Sequence, residues 1–308
     1  MLQQSAAEAK RWSYSSNSRG ALRKATELYH LFQVVRQGPQ HRVAFTLDTH
    51  RITRQRVLEH GGLELRDLKV LDIGPGQQLR HMRCLSSENE VVGIDTDVIP
   101  QGFSLRDYRE MVRVNSWMRV AKTFGRQLLG FDARFQRQLA GELGIRELGP
   151  LSVLRMDATR MAFADESFDF VCSYSAFEHI DHPKAALQEV QRVLRPGGVA
   201  YISLHLYTSH SGNHDPAILA KGEPQAPFWP HLRPSLRDTV HPSTYLNEIR
   251  LDAWRAMYQE AMPGVHFIHE RQDHLAGPLR ELRAAGELQD FTDEELLTLN
   301  LVAIYKKP

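Results

Sequence analysis

The stretch Val70-Leu-Asp-Ile-Gly-Pro-Gly-Gln77 decides the fold. Three apolar residues surround one acid as in a buried strand, and two glycines flanking a proline then turn the chain sharply. Glycine at positions 74 and 76 removes the side chains that would hold a ligand away from the backbone. The next strand, Glu90–Asp95 (EVVGID), ends in an acid 19 residues after Gly76. A carboxylate there accepts hydrogen bonds from both hydroxyls of a ribose. The residues between the two strands, Leu79–Leu85, must carry a short crossover helix, which makes a right-handed βαβ unit.

Working outward, strands are expected at Ser152–Met156, Phe168–Tyr174, Val199–Leu204, Val265–Glu270 and Asn300–Tyr305. Lys184–Leu194 is an amphipathic helix ended by Arg195-Pro-Gly-Gly198. Further helices are expected at Arg23–Val35, Thr53–His60, Thr244–Ile249 and Asp252–Ala261, and Thr292 caps a short one. Residues 1–20 read as a frayed arm or short helix. This alternation predicts an α/β fold: a Rossmann-like seven-stranded, mostly parallel sheet with helices on both faces. The expected division is an N-terminal helical arm over 1–62 and one domain over 63–308. Within it, 98–148 is a helical insertion after the second strand, read as extra packing, an oligomer surface or a lid. Residues 205–242 form a loop crowded with His, Pro and Trp.

The chain has 308 residues, 42% hydrophobic and 24% charged, which is enough apolar material for a full core. A net charge of +1 gives no basic stripe, so no nucleic-acid partner is expected. Cys84 and Cys172 sit in apolar surroundings and read as buried thiols in a reducing compartment. No run of 18 apolar residues predicts a membrane span. The N-terminus lacks the apolar core of a secretory signal, so a cytoplasmic location is expected.

An adenosine in the turn suits dinucleotide enzymes and methyltransferases alike. Two details separate them. The dinucleotide fingerprint G-x-G-x-x-G wants a third glycine where this chain has Leu79. Asp72, two residues before Gly74, would repel a pyrophosphate but suits a ligand carrying an ammonium and a sulfonium.

The chain resembles the class I S-adenosylmethionine-dependent methyltransferases. The resemblance rests on VLDIGPGQ (70–77), VVGIDTD (91–97), RMDATRMAFADESFDFVCSYSAFEHIDHP (155–183) and RVLRPGGVAYISL (192–204), in family order over residues 70–204. It implies a sheet of seven strands with the last antiparallel, and S-adenosylmethionine as cofactor. It further implies that Asp72, Gly74 and Gly76 line the methionine end and that Asp95 holds the ribose beside Thr96 and Asp97. Asp157 and Ala158 would meet the adenine, Ser173 would lie near the methionine part, and Phe177, Glu178 and His179 would lie under the methyl. The plainer readings are a solvated acid for Asp157, strand-end packing for Ser173 and a first-turn acid for Glu178. A nicotinamide-dependent oxidoreductase and a non-catalytic scaffold are the rival classes.

For the acceptor, a hydroxyl needs positioning and a base, for which histidine is the usual choice. His205 and His179 are the candidate catalytic bases. Tyr207, His210, His214, Asp215 and Trp229 are candidate substrate-binding residues, with Trp229 and Tyr207 as a platform for a sugar ring. The competing readings are ordinary loop polarity and a divalent metal, although His205, His210, His214 and Asp215 match no recognised metal spacing. The expected partner is a small-molecule or saccharide acceptor, methylated on oxygen, with N- or C-methylation as alternatives; a homodimer is possible. The asparagine-proline-proline-aromatic motif of amino-directed DNA methylation is missing after the fourth strand.

Overall fold

The structure, a computed structural model, describes residues 39–101, 104–114, 117–146 and 148–308. The expected arm over 1–20 and the helix Arg23–Val35 lie outside the described residues. One sheet contains seven strands: β1 (Lys69–Ile73), β2 (Glu90–Asp95), β3 (Ser152–Arg155), β4 (Phe168–Tyr174), β5 (Leu194–His205), β6 (His266–Arg271) and β7 (Thr298–Lys306). Their order is β3-β2-β1-β4-β5-β7-β6, and β7 alone runs antiparallel to its neighbours. The order reverses between β1 and β4, which opens a crevice at the carboxyl ends of those strands.

Among the described residues the α-helices are α1 (Gln40–Gly61), α2 (Arg80–Leu85), α3 (Leu105–Val114), α4 (Trp117–Leu128), α5 (Phe131–Glu142), α6 (Pro183–Val193), α7 (Pro216–Leu219), α8 (Leu251–Ala261), α9 (Ala276–Ala284) and α10 (Asp293–Leu297). Because strand side chains alternate, each interior strand feeds two cores. Leu71, Ile73, Val171, Ala200 and Ile202 pack with α6 and α8 residues such as Leu187, Val190, Trp254 and Tyr258. On the other face Val70, Phe170, Cys172, Val199 and Tyr201 pack with Val57 of α1 and Leu85 of α2. Both cysteines are free and buried.

Several elements depart from expectation. α1 starts at Gln40 rather than Thr53, because neither glycine nor proline interrupts residues 40–60 and Pro39 precedes the first turn. It does stop at the glycine pair: Gly62 is left-handed (φ +63°) and its amide donates to the Leu58 carbonyl at 3.0 Å. Gly61 lets α1 lie against β5, since a Cβ there would come within 2.8 Å of Val199 Cγ2. The helix expected at Thr244–Ile249 does not form. Asn247 there gives its backbone and side-chain donors to a distant turn, and Glu248 is left-handed (φ +55°), so tertiary bonds displace the helix ladder. The insertion becomes α3–α5. Phe135 and Leu139 of α5 pack against Val43 of α1 and Cys84 of α2. Thr292 caps α10 with a full capping box, its Oγ1 accepting from Glu295 N and its amide donating to Glu295 Oε1.

Candidate functional site

β1 delivers the chain into the crevice through the Gly74–Gly76 turn. Both glycines have left-handed backbone, φ +69° and +67°. Their roles differ. A Cβ on Gly74 would lie 2.5 Å from Ala176 Cβ, so this glycine lets the turn meet the end of β4, while a Cβ on Gly76 would point into open space beside the backbone. Leu79, at the position of the missing third glycine, is itself left-handed (φ +53°) and buried. That costs about 1–2 kcal/mol of backbone strain, offset by the side chain it buries.

Asp72 is 1% exposed, and neither of its carboxylate oxygens has a hydrogen-bond donor. Burial, and then the nearby Asp95 carboxylate, push it up to about 7. An orphaned buried acid beside a glycine cradle fits a cationic ligand group. At the ends of β2 and β3 the next expected residues come together. Asp95 pairs in register with Arg155. Asp95 Oδ1 accepts from the Asp97 amide at 2.8 Å, and its carbonyl accepts from Met156 N at 3.0 Å. Thr96 is exposed, and its carbonyl accepts from Arg155 Nε at 3.3 Å. Asp157 is exposed and accepts from the amide and hydroxyl of Thr159, both at 2.8 Å, which shapes the loop and leaves buried Ala158 as an apolar floor. One acid at the turn, one at the ribose position and an apolar step beyond fit the three parts of S-adenosylmethionine in order. Ser173 differs from expectation. Fully buried, it donates its only hydroxyl proton to the Ile73 carbonyl at 2.8 Å, so it ties β4 to β1 and has no proton left for a ligand.

The other half of the crevice follows β4 and β5. Ser175 is left-handed (φ +51°), and Phe177–His179 then form one 3₁₀ turn. That turn is strapped from residues 245–247. The Asn247 amide donates to the Glu178 carbonyl at 3.0 Å, and Asn247 Nδ2 donates to Phe177 O at 2.9 Å and Ile180 O at 3.0 Å. His179 Nδ1 lies 2.7 Å from the Tyr245 carbonyl. Nothing in the sequence singles out Tyr245 or Asn247; only the tertiary fold brings them to the site.

Three histidines meet here. His214 sits edge-on to His179, with centroids 5.1 Å apart, and edge-on to His205 at 5.2 Å. His205 Nε2 is met by the hydroxyls of Ser209 (3.2 Å) and Ser211 (3.0 Å). Burial lowers all three: His205 to about 4 with help from His179, His214 to about 3 with help from His205, His179 and His231, and His179 below the usual imidazole value despite its Tyr245 bond. Glu178 beneath them is buried with no donor in hydrogen-bond geometry, and burial pushes it up to about 8 against the neighbouring backbone. This end of the site is therefore uncharged at neutral pH.

The remaining acceptor candidates separate from this cluster. Trp229 is 0% exposed, donates Nε1–H to the Leu296 carbonyl at 3.3 Å and packs with Leu275, Leu279 and Leu297. It is core, with no face for a sugar. Asp215 is also buried. It caps α7 by accepting from Ala217 N at 2.9 Å and holds His241 N at 2.8 Å, so it is a structural acid. His210 packs on Phe228 and Trp229 in that second group, 3.6 Å from Glu223. Tyr207 is half-buried beside His231, whose Nε2 lies 2.6 Å from the Tyr207 carbonyl. Of the five substrate candidates, His214 alone joins the bases.

Residues 114–202 match the family described as "Methyltransferase domain". A methyltransferase of Mycobacterium marinum is 36% identical over 67 residues, 22% of this chain and 26% of that protein. The demethylmenaquinone methyltransferase of Paenarthrobacter aurescens is 27% identical over 145 residues, 42% and 56% respectively. The chain thus spans a quarter to just over half of these relatives' own length. Phosphoethanolamine N-methyltransferase 2 of Haemonchus contortus, solved with S-adenosyl-L-methionine, superposes with a TM-score of 0.45 at 16% identity, covering 83% of this chain and 52% of that one. The chain's strand order, its glycine turn with the orphaned acid, and the matched domain together support a class I S-adenosylmethionine-dependent methyltransferase.

Proposed function

We propose that the protein transfers a methyl group from S-adenosylmethionine to a hydroxyl of a small molecule or saccharide, with His179 as the proton acceptor. The observation that carries this reading is the contact between His179 Nδ1 and the Tyr245 carbonyl. A carbonyl only accepts, so Nδ1 carries the ring proton and Nε2 keeps a free lone pair. Burial favours the neutral ring, so that lone pair is available at pH 7. His205 is the weaker base, because two serine hydroxyls already occupy its Nε2.

When bound, S-adenosylmethionine supplies a methyl on a sulfonium, which is already a good leaving group. The chain's own task is to hold an acceptor hydroxyl in line, take its proton at His179 Nε2 and keep water away. Asp72, Gly76, Asp95 and Ala158 would hold the cofactor. His214, buried between the two other histidines, and the neutral Glu178 keep the acceptor end free of competing charge. With Trp229 in the core, Tyr207 is the aromatic residue left for a saccharide face.

Labelled S-adenosylmethionine and a panel of sugars, phenols, hydroquinones and amines test this directly; the hydroquinones answer to the name of the Paenarthrobacter aurescens relative. Transfer to a hydroxyl is expected. His179→Gln should lower kcat by about 10²–10⁴-fold with cofactor affinity unchanged, and His205→Gln should lower it less. An unaltered kcat in His179→Gln removes the base assignment, and transfer to amines alone replaces the acceptor class.

A further inference from the structure

Among the described residues, five of the ten large apolar side chains left exposed lie within residues 105–129 of the insertion. Leu105 and Leu128 are 77% and 67% exposed, and Val112, Phe124 and Leu129 are exposed as well. Residues 105–129 also hold six Lys or Arg against two Asp or Glu, whereas the rest of the chain holds 32 against 35. The overall balance of +1 therefore hides a local excess of positive charge. One of the two acids, Glu110, is engaged by Arg113 at 2.8 Å and by Arg155 of β3 at 3.0 Å.

The helices α3 and α4 gather these groups on one surface. Successive helix positions turn by about 100°, so Leu105 and Val112 of α3 share one line, and Arg106, Arg109 and Arg113 fill the strip beside it. All five are exposed, while Met111 faces away from them and is buried. Tyr108, one turn from both Leu105 and Val112, meets Phe124 of α4 edge-on at 5.9 Å, and its hydroxyl donates to Gln127 Oε1 at 2.5 Å. Gln127 Nε2 donates to the Pro100 carbonyl at 3.0 Å, which sets the end of α4 beside the start of α3. Leu128 and Leu129 therefore come to the same end of the pair as Leu105. The Arg155–Glu110 bond ties α3 to the carboxyl end of β3, the end of the sheet where the crevice opens.

Aliphatic side chains in water beside a strip of arginines match the surface of an anionic bilayer. The leucines enter the acyl boundary and the guanidiniums meet the lipid phosphates. Helices of 10 and 12 residues are too short to span the hydrocarbon, so they lie in the plane of the interface. A nucleic acid would use the arginines and leave the leucines in water, and a second copy of the same face would set like charges against each other. We propose that α3 and α4 form an interfacial docking surface for a membrane rich in anionic phospholipid, with Leu105 and Leu128 as inserted side chains and Arg106 and Arg109 as phosphate contacts. Docking of this kind is independent of the acceptor class.

Sedimentation of the full chain with lipid vesicles, without cofactor, tests it. Vesicles of phosphatidylcholine mixed equally with phosphatidylglycerol should carry the protein down, pure phosphatidylcholine should bind it about 10- to 100-fold less, and raised salt should weaken the anionic binding. Leu105→Ser combined with Leu128→Ser should weaken binding to the anionic vesicles by about 10-fold or more, and Arg106→Glu combined with Arg109→Glu by a similar factor, both with the melting profile retained. Phe45→Ser, at an exposed apolar position of α1, should leave binding unchanged. Equal binding to the two vesicle types, or none to the anionic one, overturns the proposal with the intact protein alone. Unaltered binding in both double variants, or equal weakening by Phe45→Ser, overturns the placement on α3 and α4. A lipid-free dimer in sedimentation velocity that the double leucine variant dissociates assigns the face to a second copy and also overturns it.

Discussion

The two ends of the crevice solve opposite electrostatic problems. The cofactor end buries an acid, Asp72, that has no donor and is pushed up to about 7. The acceptor end buries His205 and His214, pushed down to about 4 and about 3. One end buries an acid suited to a positive ligand, and the other holds its imidazoles neutral. In stability the two ends pull against each other. Unfolded Asp72 releases its proton near 3.8 and folded Asp72 near 7, so between these values the native state holds more protons and stability falls as pH rises. For the histidines the unfolded state takes up protons near 6.5 while the folded state resists until about 3 to 4, so stability falls as pH drops below 6.5.

The largest effect that would break this division belongs to Asp95. If its carboxylate holds both ribose hydroxyls, Asp95→Ala should weaken S-adenosylhomocysteine by about 100-fold or more in calorimetry, with the melting profile retained. Unchanged affinity would take Asp95 out of the cofactor end. Asp72→Asn sharpens the comparison next. It should flatten the rise in cofactor affinity expected between pH 6 and 8, and at pH 8 it should make the empty protein more stable by about 1–3 kcal/mol in denaturant melts. Loss of stability at pH 8 would mean that the Asp72 charge is satisfied in the folded state. The smallest effect lies at the acceptor end. His214→Asn tolerates the left-handed backbone at this position (φ +45°) and should reduce the loss of stability from pH 6.5 to 5 by about 1–2 kcal/mol. An unchanged acid limb would show that His214 titrates normally.

The two ends also differ in how far the sequence discloses them. The cofactor end is local: β1, β2 and β4 lie where alternation places them, and the Gly74–Gly76 turn, Asp72 and Asp95 sit within one βαβ unit. Short-range sterics write such features directly into sequence. The acceptor end depends on pairings between residues far apart. His179 is recognisable as a polar residue after β4, but the Tyr245 carbonyl that sets its tautomer is a backbone atom with no signature, 66 residues away. The same long-range bonding removed the helix expected at Thr244–Ile249. Trp229 and Asp215 were misleading for a related reason. An aromatic or an acid in a polar loop looks available, and only the packing of α9 and α10 on Trp229, and the capping of α7 by Asp215, reveals that both are spent on the loop itself. Ser173 was ambiguous because a strand-end hydroxyl can serve a ligand or the neighbouring strand equally well.

The strap at 245–247 has a consequence for the order in which the molecule is made. As the chain emerges from the ribosome, β1, β2 and β4 are complete by Tyr174, and the parts of the cofactor cradle are all present. His179 emerges only five residues later, but Asn247, which pins its turn, follows after a further 68 residues. During that interval His179, the proposed base, lacks the carbonyl that sets its tautomer. The residues of the cradle are therefore synthesised before the strap that holds His179. A chain ending before Tyr245 would contain the Gly74–Gly76 turn, Asp72 and Asp95 but not the carbonyl that sets the His179 tautomer.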